Sequence, residues 1–284
     1  MSESATISIY SPSSQMRTPI LLLRSIWKGI RESRELSWRL FLRDLSAQYR
    51  QSIFGVLWAF APPIVTGLIF IALRSSSVVN LGETDIPYPV FALVGTMLWQ
   101  LFTDSLNAPL KSATAAKPLM AKVSFPHEAL IVSAFFMSMF NFLVKSLLIL
   151  AILLIFGMAP HWTLLAAPAV MLLLILLGIT IGLLITPIGM LYTDVASALP
   201  IVTQLLFFLT PVVYPPPTSF PFSLLATVNV VSPLLIASRD LITKGTITNL
   251  LPALIVGVAV LCGLLVAAVI YRVAVPIIVE RISA

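Results

Sequence analysis

Three charged residues lie in or beside long apolar runs of the sequence: Asp104, Lys145 and Asp194. Charged groups at membrane depth usually belong to a transport pathway or an ion relay. A proton or sodium relay needs several such groups, and the sequence offers few. Lys145 stands about 24 Å along a helix from Ala129, so it either reaches the outer interface or lines a polar pathway, with Asn141 on the same face.

Residues for covalent or metal chemistry are scarce. No serine, histidine and aspartate set, zinc-ligand spacing or carboxylate pair stands out, and His127 and His161 fall at predicted loop positions. Cys262 is the single cysteine and lies in an apolar run. No phosphate-binding loop of the G-x-x-x-x-G-K-[ST] type occurs. We therefore expect no enzyme, no catalytic residues, no metal and no cofactor in this chain, with energy supplied by a partner or a gradient.

The composition is that of an integral membrane protein. Of the 284 residues, 59% are hydrophobic and only 10% are charged, whereas soluble domains average about 25% charged residues. The net charge of +6 raises the possibility of nucleic-acid binding. The cations, however, lie in short segments beside apolar runs, where anionic lipids are the nearer partner. Membrane lipids are thus the expected partner, and nucleic acid is not.

We predict an all-α fold with six membrane-spanning helices, each close to the roughly 20 apolar residues that cross a bilayer. The predicted spans are 54–73, 86–106, 129–156, 162–193, 195–214 and 250–271. The prolines of "YPPPTSFPF" end the fifth span. The remainder, at 223–238, is interrupted by Pro233 and predicts short re-entrant outer helices between spans five and six.

The distribution of Lys and Arg sets the orientation. Most of these residues fall in the N-terminal segment 1–53, the loop 111–128 and the C-terminal tail 276–284, which predicts both termini in the cytoplasm. The permease region is then 54–275, and segment 215–245 lies outside as a gate. A seventh span formed by 223–238 would place the C-terminus outside the cytoplasm, which this distribution of Lys and Arg disfavours.

The segment 36–50 predicts an amphipathic helix at the cytoplasmic interface. Its apolar face comprises Trp38, Phe41, Leu42, Leu45 and Tyr49, its basic flank comprises Arg39, Arg43 and Arg50, and Leu40 does not fit the pattern. Such a helix serves either as a topology anchor or as a basic collar around an entrance. The bend into the first span is expected at 52–55, where Gly55 tolerates a turn.

Aromatic residues are concentrated in the second and third predicted spans. Rings along a conduit would offer apolar faces to sugar C–H bonds without holding hydroxyl groups tightly. The channel-lining candidates are Phe91, Trp99, Phe102, Phe136, Phe140, Asn141 and Lys145. Gly178 and Gly182 have the spacing of a close helix seam, which is weak support for a dimer contact.

Several stretches together resemble one family. "RDLSAQYRQSIFGVLWAFAPPI" resembles the entrance of ABC exporter permeases that move polysaccharides, "AKVSFPHE" is similar to their first cytoplasmic loop, and "YTDVASALPIVTQLLFFLTPVVYPP" and "SPLLIASRD" resemble their fifth span and outer helices. The resemblance covers about residues 35–280. Ser232 stands where the family often has Asn.

The resemblance implies a homodimer of six-helix permeases in the bacterial inner membrane, with two separate ATPase subunits that bind ATP and magnesium. The implied substrate is an undecaprenyl-pyrophosphate-linked glycan such as O antigen. Capsular polysaccharide, teichoic acid, and a lipid or drug remain alternatives, as does an ion-coupled carrier or a purely structural membrane protein.

The same resemblance, read with the residues, gives three candidate sites. The ATPase-coupling candidates are Lys117, Leu119, Met120, Lys122, Phe125 and Pro126. The candidates at the substrate entrance are Arg39, Arg43, Tyr49 and Arg50. The candidates for the outer gate are Tyr214, Pro215, Phe220 and Phe222.

Overall fold

The structure, a computed structural model, describes residues 27–50, 52–76, 82–120, 122–123, 125–158, 161–217, 220, 223, 228–248 and 250–283, with side chains to Val279. The first 26 residues and the gate candidate Phe222 lie outside the described residues. Throughout the described part of the chain, the regular elements are helices.

Eight helices organise these residues: α1 Arg34–Tyr49, α2 Ala61–Ser75, α3 Tyr88–Met120, α4 Glu128–Ile155, α5 Ala167–Leu191, α6 Thr193–Leu209, α7 Val231–Thr243 and α8 Leu250–Ser283. A short helical stretch at 27–32 precedes α1. Two 3₁₀ turns, Gly55–Ala59 and Trp162–Leu165, precede α2 and α5. Pro62 and Pro63 occupy the first turn of α2, where a missing backbone N–H costs nothing.

Four segments are long and apolar enough to cross a membrane: Gly55–Ser75, Glu128–Ile155, Trp162–Leu191 and Leu250–Val279. They match the first, third, fourth and sixth predicted spans. The second predicted span corresponds to part of α3, which carries Asp104, Lys111 and Lys117 along its 33 residues. The fifth corresponds to α6, an apolar helix of 17 residues. The protein is therefore an all-helical, multi-pass membrane protein.

The helices α3 and α5 form the centre of the fold. They pack parallel to each other and so closely that a Cβ on Gly178 would lie 2.7 Å from the carbonyl oxygen of Phe102. A Cβ on Gly182 would lie 2.3 Å from the carbonyl oxygen of Leu106. Only glycine permits this approach. The glycine pair thus forms a seam within one subunit, and the suggestion that it marks a dimer contact is wrong.

One end of the bundle gathers the α2–α3, α4–α5 and α7–α8 connections. Lys244, after α7, lies 2.7 Å from the carboxylate of Asp85, which precedes α3. The ring of His161, which precedes α5, packs so closely on Gly245 that a Cβ there would lie 2.9 Å away. Three connections separated along the chain therefore meet at one end.

The opposite end gathers the N-terminal residues, the α3–α4 connection and the end of α8. Glu128 begins α4 and forms an ion pair of 2.7 Å with Arg272 on α8. The Glu128 carboxylate also lies against Gly29, 2.9 Å from where a Cβ would stand. Lys117 donates a hydrogen bond of 2.7 Å to the Met190 carbonyl at the end of α5. We call this the basic end, because Lys111, Lys117, Lys122 and Arg272 all lie there.

Two helices extend beyond the ends of the spans predicted from the sequence. The expected loop 111–128 is helical as far as Met120, because Ala113, Ala116 and Met120 continue the buried face of α3. The expected tail 276–284 is helical to Ser283, because α8 continues past Pro276. The bend before the first span is confirmed: Gly55 has a φ of 52°, and its N–H donates to Ser52 Oγ at 3.0 Å.

Candidate functional site

An ion pair lies midway along the long helix α3. Lys145 Nζ of α4 stands 2.6 Å from Asp104 Oδ2, and the lysine side chain is only 2% exposed. Asp104 is equally far from both ends of α3, about 24 Å by helix rise. Of the two alternatives for Lys145, a side chain reaching to the interface is therefore wrong, because its ammonium is held against Asp104.

Asp104 belongs to a stripe of polar side chains. Between Val90 and Leu110, the α3 residues that are not buried are Leu93, Gln100, Thr103, Asp104 and Asn107. The last four recur at a spacing of three or four, and thus share one face of the helix. We call Gln100, Thr103, Asp104 and Asn107 the polar stripe. Lys111, on the next turn toward the basic end, continues it and is exposed.

The aromatic channel candidates of α3 do not lie on this face. Phe91 is 5% exposed, Trp99 6% and Phe102 1%, and all three pack inside the subunit. Trp99 contacts Phe102 and Phe207, with ring centroids 5.4 and 5.9 Å apart. The expectation that these three rings line a conduit is therefore wrong. Periodicity alone did not reveal which face of α3 packs against α5.

The aromatic candidates of α4 lie under α1. The half-buried ring of Phe136 contacts Trp38 and Phe41, at centroid distances of 5.7 and 6.0 Å. The ring of Phe140 lies 6.5 Å from that of Tyr49, at the end of α1. Partial burial, and then the negative charge of Asp104, raise the pKa of Tyr49. The end of α1 is thus close enough for the charge of Asp104 to act on Tyr49, and Asn141, also half-buried, follows Phe140.

The face of α1 that packs against α4 includes a residue that did not fit the predicted amphipathic pattern. Leu40, the misfit of the sequence pattern, is 4% exposed and packs in the core beside Phe41 at 5%. Trp38 and Leu42 are 50% and 42% exposed. The reason is that α1 packs against α4 through a narrow strip that includes Ser33 and Ser37, so the larger apolar side chains beside it face outward.

The three arginines at the proposed entrance differ in their partners. Arg39 forms an ion pair with Glu35 at 2.6 Å, and Arg43 forms one with the neighbouring Asp44 at 2.7 Å. Arg50 is exposed and has no partner among the described residues. Its guanidinium group is therefore the one with all its donors available.

Arg239, which lies outside the three segments that hold most of the Lys and Arg residues, is at the centre of the other end. Arg239 is 2% exposed on α7, and its guanidinium lies 3.7 Å from the ring centroid of Phe91. It donates hydrogen bonds of 3.1 Å to the carbonyls of Pro211 and Val212, just after α6. Gly95 leaves room for this arrangement, since its Cβ would lie 2.1 Å from the Val212 oxygen.

The gate candidates adjoin this arginine. Tyr214 donates a hydrogen bond of 2.7 Å to the carbonyl of Phe208, which folds the chain back onto α6. Pro215 packs against Gly82, whose Cβ would lie 3.0 Å away. Phe220 is 77% exposed. Asn229 joins the same region by donating 2.7 Å to Thr210 Oγ1 while accepting 2.9 Å from the N–H of Val231.

The coupling candidates divide into buried and exposed groups. Met120 is 7% exposed, Leu119 packs against the core, and Lys117 is engaged with the end of α5. Met120 therefore does not present its side chain to a partner. Lys122 is exposed, and so is its neighbour Val123, by 53%, which was not among the predicted coupling residues. Half-buried Phe125 and Pro126 connect this loop to α4, with the Phe125 ring stacked on His127.

The connection between α5 and α6 lies near these residues at the basic end. Tyr192 is 62% exposed and Asp194 is also exposed.

Burial lowers the pKa of His127 from its ordinary value of 6.5, so this imidazole is neutral at pH 7. No group of His, Cys, Asp and Glu side chains suited to a metal ion occurs among the described residues. The arrangement is that of a helical bundle with two distinct ends and a polar face between them.

Comparison with known proteins assigns this architecture. A family described as "ABC-2 type transporter" matches residues 35–242. The chain is 28% identical over 174 residues to the O-antigen export system permease protein RfbA of Myxococcus xanthus, an alignment covering 61% of this chain and 65% of that protein.

Two further relatives are a second O-antigen export permease and a polysialic acid transport protein. The chain is 25% identical over 209 residues to the O-antigen export system permease protein RfbA of Klebsiella pneumoniae, covering 72% of this chain and 79% of that protein. It is 25% identical over 177 residues to the polysialic acid transport protein KpsM of Escherichia coli, covering 62% and 68%. Since the family match extends over most of the chain and includes the polar stripe, the coupling residues and Arg239, the protein belongs to the ABC-2 type transporter family.

Proposed function

We propose that this chain is the membrane-spanning permease subunit of an ATP-driven exporter of lipid-linked polysaccharide, most specifically O antigen. The observation that carries the proposal is the family match over residues 35–242 together with relatives named as O-antigen export permeases. The chain carries no phosphate-binding loop, so a separate ATPase subunit supplies the energy. Two such subunits and a second copy of this chain complete the proposed transporter.

The topology we propose has six crossings, with both termini in the cytoplasm of the bacterial inner membrane. The contacts at the two ends of the bundle support it. Pro215, after α6, packs on Gly82, and Lys244, after α7, pairs with Asp85, so both flanks of the α7 segment lie beside the α2–α3 connection, which supports its return to the side from which it entered. With 13 residues, α7 is too short to cross a bilayer. The Lys and Arg residues at the basic end support a cytoplasmic position for that end.

The surface for the ATPase is proposed at this basic end. Exposed Lys122 and Val123 lie in the α3–α4 connection, and exposed Tyr192 lies beside the end of α5. Lys117 ties the two connections together through Met190. A movement of the α3–α4 connection is therefore transmitted to both α3 and α5, the two helices that pack most closely.

The entrance for the lipid carrier is proposed at α1. Because Arg39 and Arg43 are each paired with a carboxylate, Arg50 is the guanidinium that best fits a pyrophosphate, with its planar fork of donors. Tyr49 beside it touches Phe140 and lies near Asp104. This places the proposed entrance next to the polar face.

The experiment that tests the proposed function is deletion of the gene, followed by chemical identification of lipid-linked glycan that accumulates inside the cell. Accumulation of an undecaprenyl-pyrophosphate-linked O-antigen glycan, reversed by the intact gene, is the expected result. Accumulation of a capsular polymer would favour the second candidate, for which the similarity to a polysialic acid transport protein speaks. Unchanged glycan pools, with an altered lipid or drug profile, would contradict polysaccharide export.

A further inference from the structure

The exposure pattern of α3 is the reverse of that expected for a helix facing lipid. In its membrane-depth half, the apolar side chains are buried, and four of the five residues that are not buried are polar. Leu93, the fifth, packs against Gly67 of α2. The polar stripe of Gln100, Thr103, Asp104 and Asn107 is therefore the open face of this helix.

This face does not fit hydrocarbon. The Asp104 side chain is 41% exposed although its charge is paired with Lys145. An ionised carboxylate in contact with lipid chains is costly, and such groups face protein or water-filled cavities instead. The stripe must therefore face water, a polar substrate or another protein surface.

The hydrogen-bonding state of the stripe favours a mobile, polar occupant. Thr103 Oγ1 donates to the Gln100 carbonyl at 3.2 Å, and Asn107 Nδ2 donates to the Thr103 carbonyl at 2.7 Å. These bonds leave the Asn107 side-chain oxygen as an open acceptor, and the Gln100 amide makes no bond to the described residues. The charge of Asp104 is neutralised by Lys145. What remains is a row of neutral groups that can exchange bonds with hydroxyl groups.

We propose that the polar stripe lines the aqueous path of the exported glycan, and that Gln100 and Asn107 contact the hydroxyl groups of the moving chain. This inference rests on the proposed function. It assigns the lining of the path to the polar face of α3 and not to the buried aromatic side chains of that helix. A neutral stripe suits a long polymer, because each hydroxyl group exchanges one hydrogen bond for an equivalent one as the chain advances.

Cysteine accessibility tests the proposal. Gln100→Cys and Asn107→Cys are made separately in a Cys262→Ala background and treated with a water-soluble sulfonated maleimide in membranes carrying the assembled transporter. The reagent requires a thiolate, which forms only in contact with water. Both positions should be labelled, and labelling should fall several-fold in membranes from cells that make the lipid-linked glycan compared with cells that do not.

Two control variants show the labelling expected at a lipid-facing position and at a water-facing position. Leu254→Cys on α8 is 55% exposed at an apolar position, so it should face lipid and remain unlabelled. Lys122→Cys, exposed at the basic end, should be labelled whether or not the glycan is present. Export by each variant, measured as surface glycan, confirms that the labelled protein is assembled.

Each other outcome has a defined meaning. Absence of labelling at both stripe positions in an export-active protein would overturn the proposal, since the stripe would then be sealed against a second copy. Labelling that is equal with and without the glycan would also overturn it, by removing the glycan as the occupant. Failure of the proposed function appears separately, as unchanged glycan pools in the deletion strain, and does not depend on these labelling results.

Discussion

The ammonium of Lys145 lies 2.6 Å from Asp104, but the two partners are unequally buried, with side chains 2% and 41% exposed. Removing one partner of a pair therefore has different consequences at the two positions. Asp104→Asn leaves a buried cation without a counter-charge, whereas Lys145→Met leaves a carboxylate that reaches the polar face.

We predict that Asp104→Asn destabilises the protein more than Lys145→Met does. Loss of one partner of a fully buried pair costs about 3–5 kcal/mol, and Asp104→Asn should approach this range. The double variant Asp104→Asn/Lys145→Met should recover most of the loss, because neither charge remains. Thermal unfolding in detergent, followed by size-exclusion chromatography, measures the order. Equal losses for the two single variants would show that the difference in burial has no energetic effect.

The buried guanidinium of Arg239 joins α7 to the chain leaving α6. We predict that Arg239→Met loses the hydrogen bonds to Pro211 and Val212 and leaves two buried carbonyls unpaired, at about 1–3 kcal/mol each. Both bonds come from one guanidinium nitrogen, so the ammonium of Arg239→Lys can replace them in part, but it lacks the planar group that lies over Phe91. It should be intermediate in stability.

The readout that separates a gating effect from a stability effect is leakage. Cells carrying Arg239→Met should admit a small hydrophilic dye or antibiotic at a temperature where the protein remains folded, since Tyr214 and the residues after α6 lose their fixed position. Val228→Ala, at an exposed position of the same outer segment that is not a gate candidate, serves as the control and should not leak. If Arg239→Met is fully stable and does not leak, this arginine does not hold the outer segment closed.

The exposed α3–α4 connection makes a different prediction. Val123→Asp should weaken copurification of the ATPase subunit and lower export several-fold, while the unfolding temperature of the permease stays the same. Val123 is 53% exposed and its side chain contributes little to the core. Met120→Asp, at a position 7% exposed, should instead destabilise the permease itself. Normal copurification of Val123→Asp would place the ATPase contact elsewhere.

The sequence predicted the long apolar helices well, because the length of an apolar run is a local property. Four of the predicted spans coincide with helices that could cross a membrane. The turn at Gly55 was predictable for the same reason, since a positive φ depends on the residue itself. Neither conclusion required knowledge of tertiary contacts.

Features that depend on packing between distant segments were not predictable. The burial of Leu40 follows from the face that α1 presents to α4, and the burial of Arg239 follows from carbonyls 28 and 27 positions earlier in the chain. The sequence analysis placed the aromatic residues of α3 along a conduit, because apolar residues occur on most faces of that helix and their spacing did not show which face is buried. The one available signal was the spacing of Gln100, Asp104 and Asn107, which marks a polar face at membrane depth.

The contact between Lys244 and Asp85 gives a direct test of topology. The hydrogen bond and then the charge of Lys244 lower the pKa of Asp85 below its ordinary value, so the carboxylate is ionised at neutral pH. In the proposed topology, Asp85 and Lys244 both lie on the outer side of the membrane. Asp85→Cys and Lys244→Cys, each in a Cys262→Ala background, should react with an impermeant maleimide in spheroplasts. Lys122→Cys should react only after the cells are opened. Reaction of Lys244→Cys from the cytoplasmic side alone would require a seventh crossing.

The exposed arginines of α1 provide the last prediction, which separates an anchor from a pyrophosphate site. An anchor needs only positive charge, so replacement of any of these arginines by lysine should leave export unchanged. A pyrophosphate site needs the bidentate fork of arginine. Arg50 has that fork available, whereas Arg39 is held by Glu35 at 2.6 Å.

We therefore expect Arg50→Lys to lower export and substrate-stimulated ATP hydrolysis several-fold, and Arg39→Lys, the matched control, to leave both near the wild-type level. Membrane insertion and binding of the ATPase should be the same in the two variants, because each retains its charge. Export is followed as surface glycan, and ATP hydrolysis is measured with and without lipid-linked glycan. If Arg50→Lys exports normally, the fork has no function at this position, and the arginines of α1 act only as a basic anchor on anionic lipid.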